Sequence, residues 1–145
     1  GIGWRLIGRD PLFFGNIGEN AVDFSVSQAE NNVVGATGNA SVAIGGGVVS
    51  SGVGSLAIGN GVIAQSAYST AIGTLNTNFI GSSDTWVPTD PLFQIGNGQG
   101  QTQSNALNIL KNGTITATSF DISESIDHKA LIHNIESRYK TETFI

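Results

Sequence analysis

Residues 33–46, 47–60 and 61–74 read VVGATGNASVAIGG, GVVSSGVGSLAIGN and GVIAQSAYSTAIGT, one fourteen-residue pattern in three successive copies. The last six places are the firmest: SVAIGG, SLAIGN and STAIGT. Superposed, they stack Ser41, Ser55 and Ser69 in one column and Ala43, Ala57 and Ala71 in a second, with Ile44, Ile58 and Ile72 in a third and Gly45, Gly59 and Gly73 in a fourth. A unit this short cannot bury its own apolar face, so the copies must stack on one another, which predicts a column of rungs.

Successive side chains on a strand alternate, so Val42 and Ile44 face one way and Ser41, Ala43 and Gly45 the other. Neither face carries charge, and both are expected to be buried. VVSS from Val48 and VIAQ from Val62 fit a return strand, giving two short strands per rung. The small Ala and Ser columns suit the narrow inside of such a rung. The Ile column suits packing against other chains, with the reverse facing left open. Repetition turns the uncovered face into a stripe that self-association about a common axis would cover.

The flanks differ from the repeats. Residues 1–32 carry Trp4, Phe13, Phe14 and Phe24 between Gly8, Gly15 and Gly18 and are expected to form a β cap, because an open first rung exposes unpaired backbone. Beyond Thr74 the pattern stops, and TNFIGSSDTWVPTD reads as a loop. DPLFQIGNG from Asp90 echoes DPLFFGNIG from Asp10, which suggests related β units. Asn112-Gly113 between two alternating runs predicts a hairpin pairing Asn105–Leu110 with Thr114–Phe120 through a type I′ turn, so 75–120 is a linker and hairpin module. Over 121–145, Ile132, Ile135 and Tyr139 are spaced as on a helix. A helix that short needs partners, and Ile132 and Ile135 packed around an axis would start a coiled coil; a helix lying back on its own β unit is the alternative.

Composition sets the class. The 145 residues include 20 Gly and only 12% charged side chains, against about 25% in typical domains, so hydration must come from Asn, Ser, Thr and Gln. A net charge of -5 with scattered cations argues against nucleic-acid binding. No Cys offers a disulfide or thiolate metal site, no apolar stretch reaches the length of a membrane helix, and the start at Gly1 reads as a processed chain or an excised fragment.

With their fourteen-residue period, SVAIGG, SLAIGN and STAIGT resemble the head repeats of YadA-like trimeric autotransporter adhesins. The resemblance covers residues 33–74. It implies a left-handed parallel β-roll in each subunit, three rolls about a threefold axis, and a coiled-coil stalk. The flanking GWRLIGRDP, DPLFQIGNG, SNALNILKNG and KALIHNIESRY look like segments beside such repeats in bacterial surface and fibre proteins; phage tail fibres and the fibres of contractile injection machines borrow similar modules. The family's membrane-spanning translocator barrel is not in this segment. The expected fold is thus mainly β: left-handed parallel β-roll repeats in a homotrimer, flanked by small β modules and ending in a short helix that starts a trimeric coiled coil.

Chemistry is sparse. GNGQG at Gly96 lacks GxGxxG spacing and a following helix, and reads as a turn. His128 and His133 have neither a HExxH pattern nor an acidic partner at ligand spacing, so no metal or cofactor is expected. No base stands beside a nucleophile in the pattern. Asp10, Glu19, Glu30, Asp84 and Asp90 would make an acid–base pair only by converging, which nothing in their spacing favours. An ice-binding face requires an ordered Thr array, and Thr70 stands alone in its column.

Aromatic residues remain as binding chemistry. Trp86, Tyr68 and Trp4 are the candidate ligand-binding residues, able to stack on sugar faces, while cap and interface core is the competing role for each. Ile44, Ile58, Ile72, Ile132 and Ile135 are the candidate trimer-packing residues. The expected function is a non-enzymatic homotrimeric fibre or adhesin segment, at a cell surface or on a virion tail fibre, attaching to a host or prey cell-surface glycan or protein. The alternative is a structural spacer whose binding tip lies elsewhere.

Overall fold

A computed structural model describes residues 2–119 and 133–138. The protein is mainly β, with one short helix over 133–138 among the described residues. Strands β1 (Trp4–Arg5), β2 (Val22–Val26), β4 (Val42–Gly46), β6 (Leu56–Asn60), β8 (Thr70–Thr74), β9 (Pro91–Asn97), β10 (Asn105–Leu110) and β11 (Ile115–Ala117) form an eight-stranded sheet in that order. The shorter β3 (Gly35–Ala36), β5 (Val49–Ser50) and β7 (Ile63–Ala64) form a second, three-stranded sheet. Pairing is parallel from β1 to β9 and throughout the second sheet; β9, β10 and β11 pair antiparallel. Each copy of the repeat is one rung with a strand in either sheet.

The sequence columns are the ladder register. Ala43, Ala57 and Ala71 are cross-strand partners, as are Ile44, Ile58 and Ile72, and Gly45, Gly59 and Gly73. The columns continue past Thr74: after a sixteen-residue excursion over 75–90 the chain returns as β9, which sets Gln94, Ile95 and Gly96 against Ala71, Ile72 and Gly73. On the other side β2 places Asp23 in the Ala column and Phe24 in the Ile column.

The space between the sheets is filled with small side chains. Ala21, Ala36, Ala43, Val48, Ala57, Val62, Ala64 and Ala71 form one fully buried cluster. The fully buried members are no larger than Val, and the partly buried Ile17 packs against them. Both strand faces were expected to be buried, but within the chain only the inner one is: Ile44 and Ile58 face outward and stay 38% and 37% exposed.

The Ser column closes the rung turns. Ser55 Oγ donates to the Gly52 carbonyl at 2.7 Å and lies 2.7 Å from Ser50 Oγ, and Ser69 Oγ donates to the Ser66 carbonyl at 2.7 Å. Ser41 Oγ is buried without a partner. The two substitutions should therefore separate in thermal or denaturant unfolding: Ser55→Ala is expected to cost about 1–2 kcal/mol, and Ser41→Ala to be neutral within about 0.5 kcal/mol or stabilising. Equal losses would show that the column acts by packing alone.

Both ends of the stack are closed by polar side chains. At the first rung the buried Asp23 carboxylate accepts from Arg5 Nε at 2.8 Å and from the Ser25 N–H at 3.0 Å. Arg5 also donates to the Gly15 carbonyl and lies 4.8 Å from the centroid of the buried Phe14 ring. Beyond β7, Asn76 stands in for a further strand of the second sheet: its Oδ1 accepts from the Ile63 N–H at 2.7 Å and its Nδ2 donates to the Ile63 carbonyl at 2.9 Å. A side-chain amide thus pairs both backbone groups that the edge would leave open.

Two local expectations are corrected. The hairpin is present, but Lys111, Asn112 and Gly113 form a three-residue loop: the Gly113 N–H donates to the Leu110 carbonyl, the Leu110 N–H to that of Thr114, and the positive φ falls on Gly113 alone (87°). A type I′ turn would need it at Asn112 as well. The shared letters DPLF also fold differently. Asp10 caps a 3-10 turn over Pro11–Phe13 by accepting from the Leu12 N–H, whereas Pro91 to Phe93 lie in a sheet strand beside the buried Asp90.

Candidate functional site

Each rung turns into its long strand through a residue of positive φ, in succession Asn20, Ala40, Gly54 and Tyr68 (56°, 52°, 62° and 59°). Asn and Gly accept this backbone easily; an aromatic residue does so at a cost of about 1–2 kcal/mol. Tyr68 is nonetheless held there. Its ring lies across Gly54 of the preceding rung, at the place a Cβ would occupy.

The excursion over 75–90 docks against the same turns. The Val53 N–H donates to the Ser83 carbonyl and the Ala67 N–H to that of Ser82, so a stretch of the loop runs along the stack. Within it Asp84 Oδ1 accepts from the hydroxyls of Thr85 and Ser82 at 2.9 and 3.0 Å; these two bonds, Thr85 first, hold the exposed Asp84 carboxyl below its ordinary pKa. The turn so fixed presents Trp86.

Trp86 and Tyr68 meet, with ring centroids 6.5 Å apart and planes tilted by 39°. They are 51% and 52% exposed. Behind Trp86 the Lys111 ammonium sits 5.1 Å from the ring centroid and 3.9 Å from Asp90 Oδ2, and the lysine side chain is wholly buried. Asp90 Oδ2 also accepts from the Ser82 N–H at 2.9 Å, and the hairpin loop is fastened beneath by Lys111 N–H to the Asp90 carbonyl and Asn112 N–H to the Pro88 carbonyl. One half-exposed ring on the tethered loop and one on a rung turn make an apolar step beside the Ser82 and Thr85 hydroxyls. That surface suits the C–H face of a sugar or an apolar side chain of a protein.

Of the three candidate ligand residues the structure therefore joins Tyr68 and Trp86 and sets Trp4 apart, at the far end of the stack beside Val22. Lys111 and the ion-paired role of Asp90 were not evident in the sequence, because their contact runs through a loop and a hairpin 21 residues apart with no shared local pattern. Among the described residues no three of His, Asp and Glu gather as a metal site would require. Of the five candidate packing residues, Ile44, Ile58 and Ile72 line one outer row, Ile135 is exposed in the helix over 133–138, and Ile132 lies outside the described residues, as do His128 and most of the span expected to be helical. No protein-family description, curated protein or solved structure matches this chain.

Proposed function

We propose that the chain is a segment of a non-enzymatic homotrimeric fibre that attaches to a cell-surface glycan or protein. One observation carries the assembly. The outer face of the eight-stranded sheet carries two adjacent uncharged rows that are apolar apart from Thr70. Trp4, Val22, Val42, Leu56, Thr70, Phe93, Ile109 and Ile115 follow one another across the strands. Phe24, Ile44, Ile58, Ile72, Ile95 and Leu107 do the same beside them. Eight strands at ordinary spacing span about 34 Å. A stripe that long without one charge is an association surface rather than a solvated one.

Three such stripes turned inward would enclose an apolar axis, the arrangement the likeness to YadA-like heads implies, with a left-handed roll in each subunit and a stalk begun by Ile132 and Ile135. The Tyr68–Trp86 step, where the excursion meets a rung turn, is the contact surface in this reading. The fibre belongs outside the cell or on a virion tail.

Light scattering during size exclusion tests the assembly against the 15.0 kDa chain mass, and a folded species at the mass of one chain would end it. Attachment is tested by screening the intact protein on glycan arrays and cell surfaces. Trp86→Ala is expected to weaken the strongest interaction about tenfold, as loss of one aromatic stacking contact would. An oligomer that binds nothing in either screen would make the segment a spacer.

A further inference from the structure

Hydrogen bonds fasten the loop on both sides of Trp86. Before it, the Ser82 N–H donates to Asp90 Oδ2 and the Thr85 N–H to Ser82 Oγ. After it, the Asp90 N–H donates to the Val87 carbonyl and the Asn112 N–H to that of Pro88. These bonds place the main chain. They do not place the indole, which keeps two side-chain torsions and is half exposed. Where the ring stands is left to what it rests against.

On one side it meets Tyr68, which is itself fixed: its backbone is held at a φ of 59° and its ring lies across Gly54. On the other it meets Lys111, the first residue of the hairpin loop. The lysine side chain has no exposed surface, and its ammonium, 5.1 Å from the indole centroid, makes no hydrogen bond among the described residues; its charge is answered by Asp90 Oδ2 at 3.9 Å. An ammonium buried this loosely is a poor source of stability, because exchanging such a pair for neutral groups of similar size is often neutral or stabilising. What it supplies is direction. Out of water the cation is drawn to the ring face and to the Asp90 carboxylate together, and that carboxylate is held in turn by the Ser82 N–H. Both partners of Trp86 thus break a local preference, Tyr68 by its left-handed backbone and Lys111 by its burial. Such departures gather where a protein is built for contact rather than for stability.

We propose that Lys111 is the positioning residue of the aromatic step: anchored on Asp90, its ammonium sets the Trp86 indole against Tyr68. The hairpin thereby shapes the contact surface through a side chain that no ligand can touch. A ring set in place before the ligand arrives avoids the ordering cost of binding, worth about two- to tenfold in affinity for one side chain. That the step serves attachment rests on the proposed function; that Lys111 places Trp86 does not.

The test isolates Trp86 by Trp4→Phe, which leaves one indole in the chain. It replaces both members of the ion pair, because removing one alone would strand the other in a dry site. In Lys111→Met/Asp90→Asn the flexible, uncharged chain at 111 has nothing to tether it to residue 90. The β-sheet circular dichroism is expected to stay and the melting temperature to hold or rise. The nuclear Overhauser effects between the Tyr68 ring and the Trp86 indole are expected to fade, and acrylamide quenching of Trp86 to roughly double. A merely structural lysine would do the reverse, lowering the melting temperature and leaving the signals of the ring alone. With the ion pair intact, the ε-methylene protons of Lys111 are expected to carry a ring-current shift that disappears in Trp86→Ala. The proposal is overturned if the double variant keeps the Tyr68–Trp86 effects and the quenching of its parent, if it loses its β-sheet signal, or if the Lys111 protons show no ring-current shift. On the glycan arrays and cell surfaces of the attachment screen, the double variant is expected to bind about two- to tenfold more weakly than its parent. Undiminished binding with a freed ring would end the step as the contact surface and uphold the hold of Lys111 on Trp86.

Discussion

Ile58→Asp is expected to break the proposed assembly into single 15.0 kDa chains while leaving the β-sheet circular dichroism in place. The side chain points away from the inter-sheet core, 37% exposed in the lone chain, so the carboxylate stays hydrated when subunits are apart. Assembly of the proposed kind would bury one such carboxylate per subunit at a shared axis, at a cost of several kcal/mol each. The contrast is its neighbour Ala57, which is fully buried against the second sheet; a charge there should unfold the chain rather than dissociate it. Light scattering and circular dichroism on the same samples separate the two, and an Ile58→Asp protein that keeps the parent mass would place the association surface elsewhere.

Gly59→Ala should be among the most damaging single-methyl changes in the chain. Gly59 holds φ at 137°, and a Cβ there would collide with the carbonyl oxygen of Gly73 in the next rung. Neither atom can move alone, because Gly45, Gly59, Gly73 and Gly96 meet in succession and each carbonyl lies where the preceding residue's Cβ would be. The expected loss is on the order of 3 kcal/mol or more, a drop in melting temperature of roughly 10 °C. Gly47 is the control: its φ is also positive (58°), but nothing lies within 4 Å of its Cβ position. Gly47→Ala should cost only about 1 kcal/mol, the backbone conformation alone. Equal effects at the two sites would mean that conformation, not rung contact, keeps glycine in the column.

The ladder was legible because its cause is local. The AIG triplet fixes which side chain faces in, which faces out and where the backbones touch, and the structure keeps that register throughout. The same triplet is still partly visible at Gln94-Ile95-Gly96, but Ala71 and Gln94 stand 23 residues apart, so the fourteen-residue period does not carry it. Asp23 hid for a different reason. A carboxylate in an Ala column fits only because Arg5 reaches it from β1, and no periodicity records that partner. The hairpin was readable from Asn112-Gly113, but its loop length was set by pairing at Leu110 and Thr114. Tyr68 and Trp86 were singled out as separate aromatic residues; that they form one step depends on how the 75–90 excursion lies on the rung turns, which only tertiary contacts determine.

The spacing between rungs has a consequence of its own. Asp23 and Ala43 are 20 residues apart, Ala43 and Ala57 fourteen, Ala71 and Gln94 23, yet all are direct cross-strand neighbours in an unbroken sheet. Contour length is thus uncoupled from position along the axis: the ladder counts strands and ignores what is spooled out between them. The corner between Thr74 and Asp90 behaves as a socket, where a different loop, of different length and chemistry, could be grafted without disturbing the face that subunits would share. Such a scaffold can change what it touches while keeping how it stands.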